Sequence, residues 1–159
     1  MAYAPTLVAN NILNRAFAEK CEISPMKLQK ILYFVAAEYQ KETGESLFTE
    51  RFETWKYGPV LRSVYTEFRP FSRDYISRFA KDAENHSHMA KEEADPALQQ
   101  ALIRVWDATK SRTAVNLSRI THQPGSAWDK SFQKEDEYLS TKEITKDVTY
   151  QRALGLDAA

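Results

Sequence analysis

This 159-residue sequence contains only four glycines and one cysteine. None of the glycines belongs to a G-x-G-x-x-G, G-K-S/T or G-x-S-x-G pattern, so the usual signals of nucleotide-binding and esterase sites are missing. The single Cys21 cannot form an internal disulfide, and the sequence does not open with a signal-peptide pattern. These absences predict a cytoplasmic protein.

The sequence also lacks an excess of either charge and any long hydrophobic run. Twenty-two basic residues balance 22 acidic ones, so no overall field draws the molecule to nucleic acid or to an anionic membrane. The apolar stretch Ile31–Ala37 has seven residues, whereas a membrane-spanning helix needs about 20. A chain of this length can bury a core within one domain, and we predict a single domain over residues 1–159 with no membrane contact.

What is present is a central helix with both ends marked in the sequence. Ser24 is typical of an N-cap, Pro25 of the first helical position, and Gly44 of the left-handed residue after the last turn. Apolar residues recur between them at the helical period and cover most of the circumference: Leu28, Ile31, Leu32, Tyr33, Phe34, Val35, Ala36, Ala37 and Tyr39. We therefore expect other helices of the same domain to surround this one.

The same signals predict further helices along the chain. They run from a cap at Thr6 to about Lys20, from Pro59 to Pro70, from Asp95 to about Ser111, briefly after Thr113, and from Ser140 or Thr141 to about Leu154. Residues 47–57 are predicted to be extended, residues 81–95 to form an exposed loop, and residues 121–128 to form a loop with Trp128 buried. The predicted fold is mainly α: a single compact helical domain around a buried central helix, with at most a short β segment near residues 47–57.

Three fragments of the sequence, in this order and spacing, resemble the Panacea-domain family. They are K-L-Q-K-I-L-Y-F at 27–34, W-K-Y-G-P-V at 55–60 with Val64 and Tyr65 after it, and L-S-x-x-T-H at 117–122 followed by Trp128. With the V-A-N-N-I-L helix before them the resemblance covers about residues 7–131, leaving 132–159 as a C-terminal helix and tail. The motif residues, for which structural roles are the simplest interpretation, are Leu28, Tyr33, Trp55, Tyr57, Gly58, Pro59, Val60, Tyr65, Thr121, His122 and Trp128. The family pattern usually has proline before the last tryptophan, where this chain has Ala127.

The resemblance implies an antitoxin of a bacterial or prophage toxin-antitoxin pair. Such a protein is non-enzymatic, needs no cofactor and neutralises a cognate toxin by direct binding. Family members neutralise unrelated toxins, some resemble a proteolytic adaptor that delivers its toxin to a AAA+ protease, and others are phage-associated proteins. The ending Leu156-Asp157-Ala158-Ala159 is similar to the Leu-Ala-Ala signal that such proteases engage, with Asp157 as the departure. We expect this tail to fray, and a AAA+ protease is a second candidate partner.

Basic residues near the W-K-Y-G-P-V fragment and along the expected exposed edge of the central helix are the candidate toxin-binding residues. They are Lys27, Lys30, Lys56, Arg62 and Arg69. Arginine and aromatic side chains often dominate binding energy at interfaces. For Lys27 and Lys30, the plainer interpretation is that their stems cover apolar surface while their ammonium groups reach water.

Nucleic-acid binding is the alternative function that the sequence leaves open. Residues 51–78 carry six basic side chains against three acidic ones, among several aromatic residues. The same local charge would also suit an acidic patch on a toxin. A balanced overall charge makes a nucleic-acid partner the less favoured interpretation.

Metal and catalytic sites receive little support. His86 and His88 could bind a metal weakly with Glu84, but a solvated loop explains these residues more simply. Cys21 and His122 lack a third, orienting group for nucleophilic catalysis. The sequence therefore predicts no enzyme and no metal site, and His122 with Trp128 is expected to hold the loop after the fifth helix against the core.

Overall fold

Eight α-helices and one short β-hairpin make up the part of the chain, residues 2–157, that the computed structural model describes. The helices are α1 (Pro5–Glu19), α2 (Pro25–Thr43), α3 (Arg62–Phe68), α4 (Pro96–Thr109), α5 (Ala114–Thr121), α6 (Ala127–Gln133), α7 (Thr141–Lys146) and α8 (Thr149–Leu154). The strands β1 (Glu53–Trp55) and β2 (Gly58–Val60) pair antiparallel, and 3₁₀ turns occupy Arg69–Phe71 and Glu92–Ala94. The prediction of a mainly α fold with little sheet is confirmed.

Helix α2 is the centre of the fold, as predicted. The Ser24 hydroxyl accepts a hydrogen bond from the Lys27 amide at 3.3 Å, and Gly44 ends the helix with φ +75°. Every residue from 27 to 40 is buried, and α4, α5, α7 and the hairpin all pack around the helix. An apolar surface this wide can leave water only if it is covered on all sides, which explains why so many short elements surround α2.

The first helix begins earlier than predicted. Pro5 occupies its first turn and Ala4 is the N-cap residue without a side-chain hydrogen bond, so the predicted cap at Thr6 is wrong. The fixed φ of proline is already helical, which starts the helix at Pro5. Asn10 and Asn11 lie on the buried face of α1. Their side-chain amides bind the backbone of Ala80, just before the loop predicted at residues 81–95, and of Ala90 within it. The predicted exposed loop is thus exposed along most of its length but anchored at Ala90.

The hairpin replaces the start of a predicted helix. Gly58, Pro59 and Val60 form β2, in which Val60 pairs with Glu53 and Gly58 with Trp55, and α3 begins only at Arg62. The β segment therefore extends three residues past the predicted limit at 57. The decisive contact comes from α2, since the Gln29 side-chain amide binds both the N–H (2.9 Å) and the C=O (3.1 Å) of Leu61.

The C-terminal region is more divided than the sequence indicated. Instead of one terminal helix there are two, because the buried Asp147 separates α7 from α8. Its carboxylate accepts hydrogen bonds from the Tyr33 hydroxyl (2.6 Å) and the Ala127 amide (3.2 Å), and from the amide and hydroxyl of Thr149. The predicted loop around Trp128 contains α6, capped by Ser126. Ala127 stands at the first position of α6, where the φ of a proline is compatible with the helix, but a proline would lack the N–H that donates to Asp147 here.

The end of the described chain is packed against α4. Leu156 is buried, and its carbonyl oxygen accepts a hydrogen bond from Arg104 at 3.0 Å. The expectation that the tail frays is therefore wrong for Leu156, while Ala158 and Ala159 lie outside the described residues. Within residues 2–157, no helix is both long and apolar enough to cross a lipid bilayer.

Candidate functional site

The separate motif fragments meet at the turn between β1 and β2. The indole N–H of Trp128 donates to the carbonyl oxygen of Trp55 at 2.7 Å. The next carbonyl oxygen, that of Lys56, lies 3.2 Å from His122 Nε2, so this nitrogen must carry the proton to donate. Burial, helped by the Lys30 ammonium, lowers the pKa of His122, which favours the neutral ring. Fragments more than 60 residues apart in sequence thus hold one turn in place.

The third carbonyl of the turn, that of Tyr57, accepts hydrogen bonds from the Lys30 ammonium and from the Ser118 hydroxyl (3.2 Å). Lys30 is 1% exposed, and within the described chain no carboxylate forms an ion pair with it. Gly58 is required beside this ammonium, because its φ is +122° and a Cβ there would overlap Lys30 Nζ and approach Thr121 Oγ1 to 3.1 Å. Burial of this unpaired ammonium lowers its pKa to about 8.

The pH dependence of stability offers a test of this burial. The unfolded chain holds the Lys30 proton up to its ordinary pKa of 10.5, whereas the folded chain releases it at about 8. Below about pH 8 the buried ammonium lowers the free energy of unfolding by its full amount, and this loss of stability becomes smaller as the pH rises to 10.5. Wild type should therefore gain up to about 3 kcal/mol relative to Lys30→Met across that window. Urea denaturation of both proteins at several pH values measures the difference, in which other titrations cancel. A constant difference from pH 7 to 10 would contradict the burial.

The two candidate lysines of α2, Lys27 and Lys30, are not exposed as the sequence predicted. Lys30 is 1% exposed and Lys27 is 7% exposed, and Lys27 donates a 2.6 Å hydrogen bond to the carbonyl oxygen of Lys110. Burial lowers the pKa of Lys27 as well. The expectation of an exposed helix edge is wrong for residues 27–40, and so is the interpretation that the ammonium groups of Lys27 and Lys30 reach water. Because elements pack on every side of α2, both stems end on backbone carbonyl oxygens inside the protein.

The remaining candidate cations are exposed: Lys56 lies in the turn, Arg62 begins α3 and Arg69 follows its last residue. Tyr57 is 60% exposed, with Lys56 exposed beside it. The exposed Arg62 guanidinium forms a two-point ion pair with Glu53 (2.8 and 2.9 Å), which lowers the pKa of that carboxyl. Arg69 is exposed at the end of α3 and has no ion-pair partner within residues 2–157. The turn therefore presents the Tyr57 ring and the Lys56 ammonium to solvent from a backbone whose carbonyl oxygens are hydrogen-bonded.

A cleft of about 300 Å³ opens beside the turn. Its walls are mostly apolar and include two motif aromatics, Trp55 and Tyr65, whose ring centroids are 4.7 Å apart. Met26 is 40% exposed at this cleft. The remaining lining residues are Pro25, Gln29, Lys30, Tyr57, Val60 and Ser72.

Sequence reasoning missed three residues of this site, namely Met26, Gln29 and Ser118. The signal that could have identified Gln29 is its polar side chain among the apolar residues of the central helix. Ser118 lies inside a motif fragment, next to Leu117, but a serine there is equally compatible with an exposed position. Met26 gave no signal, because only the folded hairpin creates the cleft that it lines.

Ion pairs neutralise part of the basic segment at residues 51–78. Arg78 pairs with Glu67 at 2.8 Å and Arg62 pairs with Glu53. Arg51 donates to the Leu139 carbonyl oxygen and lies over the Tyr138 ring. The cationic surface left near the turn is smaller than the composition suggested.

In the exposed histidine loop, the carboxylate nearest the two histidines is not the one predicted. Asp82, rather than Glu84, has its carboxylate within 4.8 Å of the ring nitrogens of His86 and His88, and His88 Nε2 lies 3.3 Å from Asp82 Oδ2. Backbone N–H groups of His86 and Glu84 donate to Asp82 and lower the pKa of its carboxyl. These bonds within a solvated loop account for the proximity of the three side chains.

The fold and the site together define a small helical domain with one exposed turn. Side chains of the first and third motif fragments bind the carbonyl oxygens of this turn. The chain matches the family model "Antitoxin SocA-like, Panacea domain" over residues 28–129 and therefore belongs to this antitoxin family, which confirms the resemblance. It is similar to Antitoxin SocA of Caulobacter vibrioides (strain NA1000 / CB15N), with 33% identity over 125 residues, or 77% of this chain. The match spans 66% of that relative's length. No solved structure matches the chain significantly.

Proposed function

We propose that this protein is a non-enzymatic antitoxin that neutralises a cognate protein toxin by direct binding. The observation that supports the proposal most is that the turn has a hydrogen-bonded backbone but exposed side chains. Motif residues on α2, α5 and α6 fix its backbone from inside, while Lys56 and Tyr57 point their side chains to solvent. A preorganised surface loses little conformational entropy when it binds, so this geometry suits tight recognition of another protein.

The proposed toxin-binding surface consists of Lys56, Tyr57, Arg62 and Arg69. Arginine and aromatic residues are the types that most often anchor interfaces. Lys27 and Lys30 act from inside, by binding the carbonyl oxygens of Lys110 and Tyr57. An acidic patch on the toxin would complement the exposed cations and speed the encounter between the two proteins.

A protein partner is favoured over nucleic acid by the ion pairs within the basic segment at residues 51–78. Arg62 and Arg78 each share their charge with a glutamate, which leaves fewer cations to release counterions from a phosphate backbone. A band-shift assay at several salt concentrations separates the two functions, because nucleic-acid binding would weaken steeply with added salt.

A AAA+ protease is a further proposed partner, through an adaptor role or through the Leu-Ala-Ala-like ending. Since Leu156 is buried and held by Arg104, use of that ending would first require Leu156 to leave the core.

Charge reversal at the turn tests the proposed surface. The double variant Lys56→Glu, Arg69→Glu should fail to restore growth of cells that express the toxin encoded beside this gene, while wild type restores it. Losing one true anchor costs about 2 kcal/mol or more, which weakens binding roughly 30-fold. Copurification of the two proteins gives the same comparison in vitro.

The matched control is Lys142→Glu, Arg152→Glu, which changes the charge equally at two exposed positions on α7 and α8. It should neutralise the toxin like wild type. Rescue by a folded Lys56→Glu, Arg69→Glu protein would place the toxin-binding surface elsewhere. If wild type neither binds nor neutralises the product of any neighbouring gene, the antitoxin function itself is contradicted.

A further inference from the structure

The apolar cleft beside the turn indicates which kind of toxin segment could bind there. We propose that this cleft receives one apolar side chain of the toxin, from a segment in which carboxylates flank that side chain. This inference rests on the proposed function and specifies how the same surface recognises its partner.

The walls of the cleft support an apolar occupant. Met26 is 40% exposed there, and the rings of Trp55 and Tyr65 are only half-buried. Methionine adapts its shape to irregular apolar partners, and exposed apolar patches rimmed by polar residues typically mark binding sites. The volume of about 300 Å³ is at the lower end of binding pockets, which span roughly 300–1,000 Å³, and thus suits a side chain rather than a large ligand.

The rim of the cleft supports flanking carboxylates. Lys56 Nζ lies 5.9 Å from the centre of the Tyr57 ring, and the Arg62 guanidinium lies 5.4 Å from that of Trp55. Arg73 is exposed and follows Ser72, which lines the cleft. Of the acids nearby, Glu53 is already held by Arg62, and Asp74 is exposed next to Arg73. Lys56 and Arg73 are exposed and have no ion-pair partner within residues 2–157, so carboxylates of a partner would complement these two cations.

The ring geometry favours a protein side chain over a nucleobase. Trp55 meets Tyr65 edge to face, at an interplanar angle of 63°, and the Arg62 guanidinium lies over the Trp55 ring. A stacked base needs an open aromatic face, whereas an aliphatic or phenyl side chain can fill an angular apolar space.

Blocked pentapeptides are suitable probes with the full-length protein. The first has the sequence Asp-Glu-Phe-Asp-Glu, the second has serine in place of phenylalanine, and the third has lysine in place of all four acids. The NMR signal of the Trp55 indole N–H is the reporter, since this group lies at the cleft and donates to Glu53 at 3.0 Å. We expect the first peptide to shift this signal, and each of the other two to bind about tenfold more weakly or worse.

Two methionines with matched exposure provide the variant and its control. Met26→Asn should weaken binding of the first peptide about tenfold, whereas Met89→Asn, at a residue 41% exposed in the loop after α3, should leave it unchanged. Lys56→Gln should weaken binding severalfold, and Lys142→Gln should not. Folding of each variant is checked by the dispersion of its amide signals.

Several outcomes would overturn the inference. These are equal binding of the phenylalanine and serine peptides, binding of the lysine peptide as tight as that of the acidic one, no shift at low millimolar peptide, or tighter binding of pentathymidylate. If the protein neutralises its toxin but the cleft ignores the peptides, this inference fails and the antitoxin proposal stands. If the peptides bind but no neighbouring toxin does, the proposed function fails instead.

Discussion

Replacing Trp128 by alanine is expected to lower the free energy of unfolding by about 3–5 kcal/mol, the range for large aromatic residues removed from a core. The ring is 8% exposed. It stacks on Phe132 with centroids 4.6 Å apart and meets His122 at 4.1 Å. The substitution also removes the donor to the Trp55 carbonyl oxygen, so the hairpin turn loses one of the four side chains that bind its carbonyl oxygens. Urea denaturation followed by far-UV circular dichroism measures the change.

Phe132→Ala is the control for this prediction. Phe132 packs on the outer face of Trp128 but is 43% exposed, so its removal should cost clearly less because less apolar area returns to water. If Trp128→Ala leaves the denaturation midpoint unchanged, Trp128 does not support the core in solution and becomes a candidate for the toxin interface.

Gly58→Ala is expected to destabilise the protein and to disturb the turn that presents Tyr57. The backbone at Gly58 has φ +122°, where a side chain costs about 1–3 kcal/mol in strain. A further cost arises because the new methyl group would overlap Lys30 Nζ and approach Thr121 Oγ1 to 3.1 Å. Lys30 cannot move away cheaply, since its ammonium is buried and bound to the Tyr57 carbonyl oxygen.

Gly125→Ala separates the two costs. Gly125 also has positive φ, at +82°, but its Cβ would meet nothing within 4 Å, so only backbone strain is added there. A double-mutant cycle adds a second test, because the shorter side chain in Lys30→Met should relieve the overlap and reduce the cost of Gly58→Ala. Equal costs for the two glycine substitutions, or simple additivity with Lys30→Met, would contradict the close approach.

The part of the fold that the sequence predicted is the part that depends on neighbours along the chain. The central helix followed from Ser24, Pro25 and Gly44, because a capping hydroxyl, a fixed φ and a left-handed residue act within one turn of their own position. The caps at Asp95, Thr113 and Ser140 are confirmed for the same reason. For the candidate site, the sequence identified the fragments that meet at the turn and predicted that Trp128 is buried.

The sequence by itself thus determined the mainly helical class, the buried central helix and the family of this protein. Tertiary structure alone decided that Gly58 to Val60 form a strand, that Lys30 is buried, and that Asp147 divides the last helix in two. The strand pairs with a neighbouring segment, but Gln29 binds Leu61 beside it from 32 residues back. The other two features depend on distant partners directly: Lys30 binds Tyr57, 27 residues on, and Asp147 binds Tyr33, 114 residues back. The energy of a buried polar group depends on whether such a partner is present, and a sequence shows the type of a residue but not the atom that its side chain will meet.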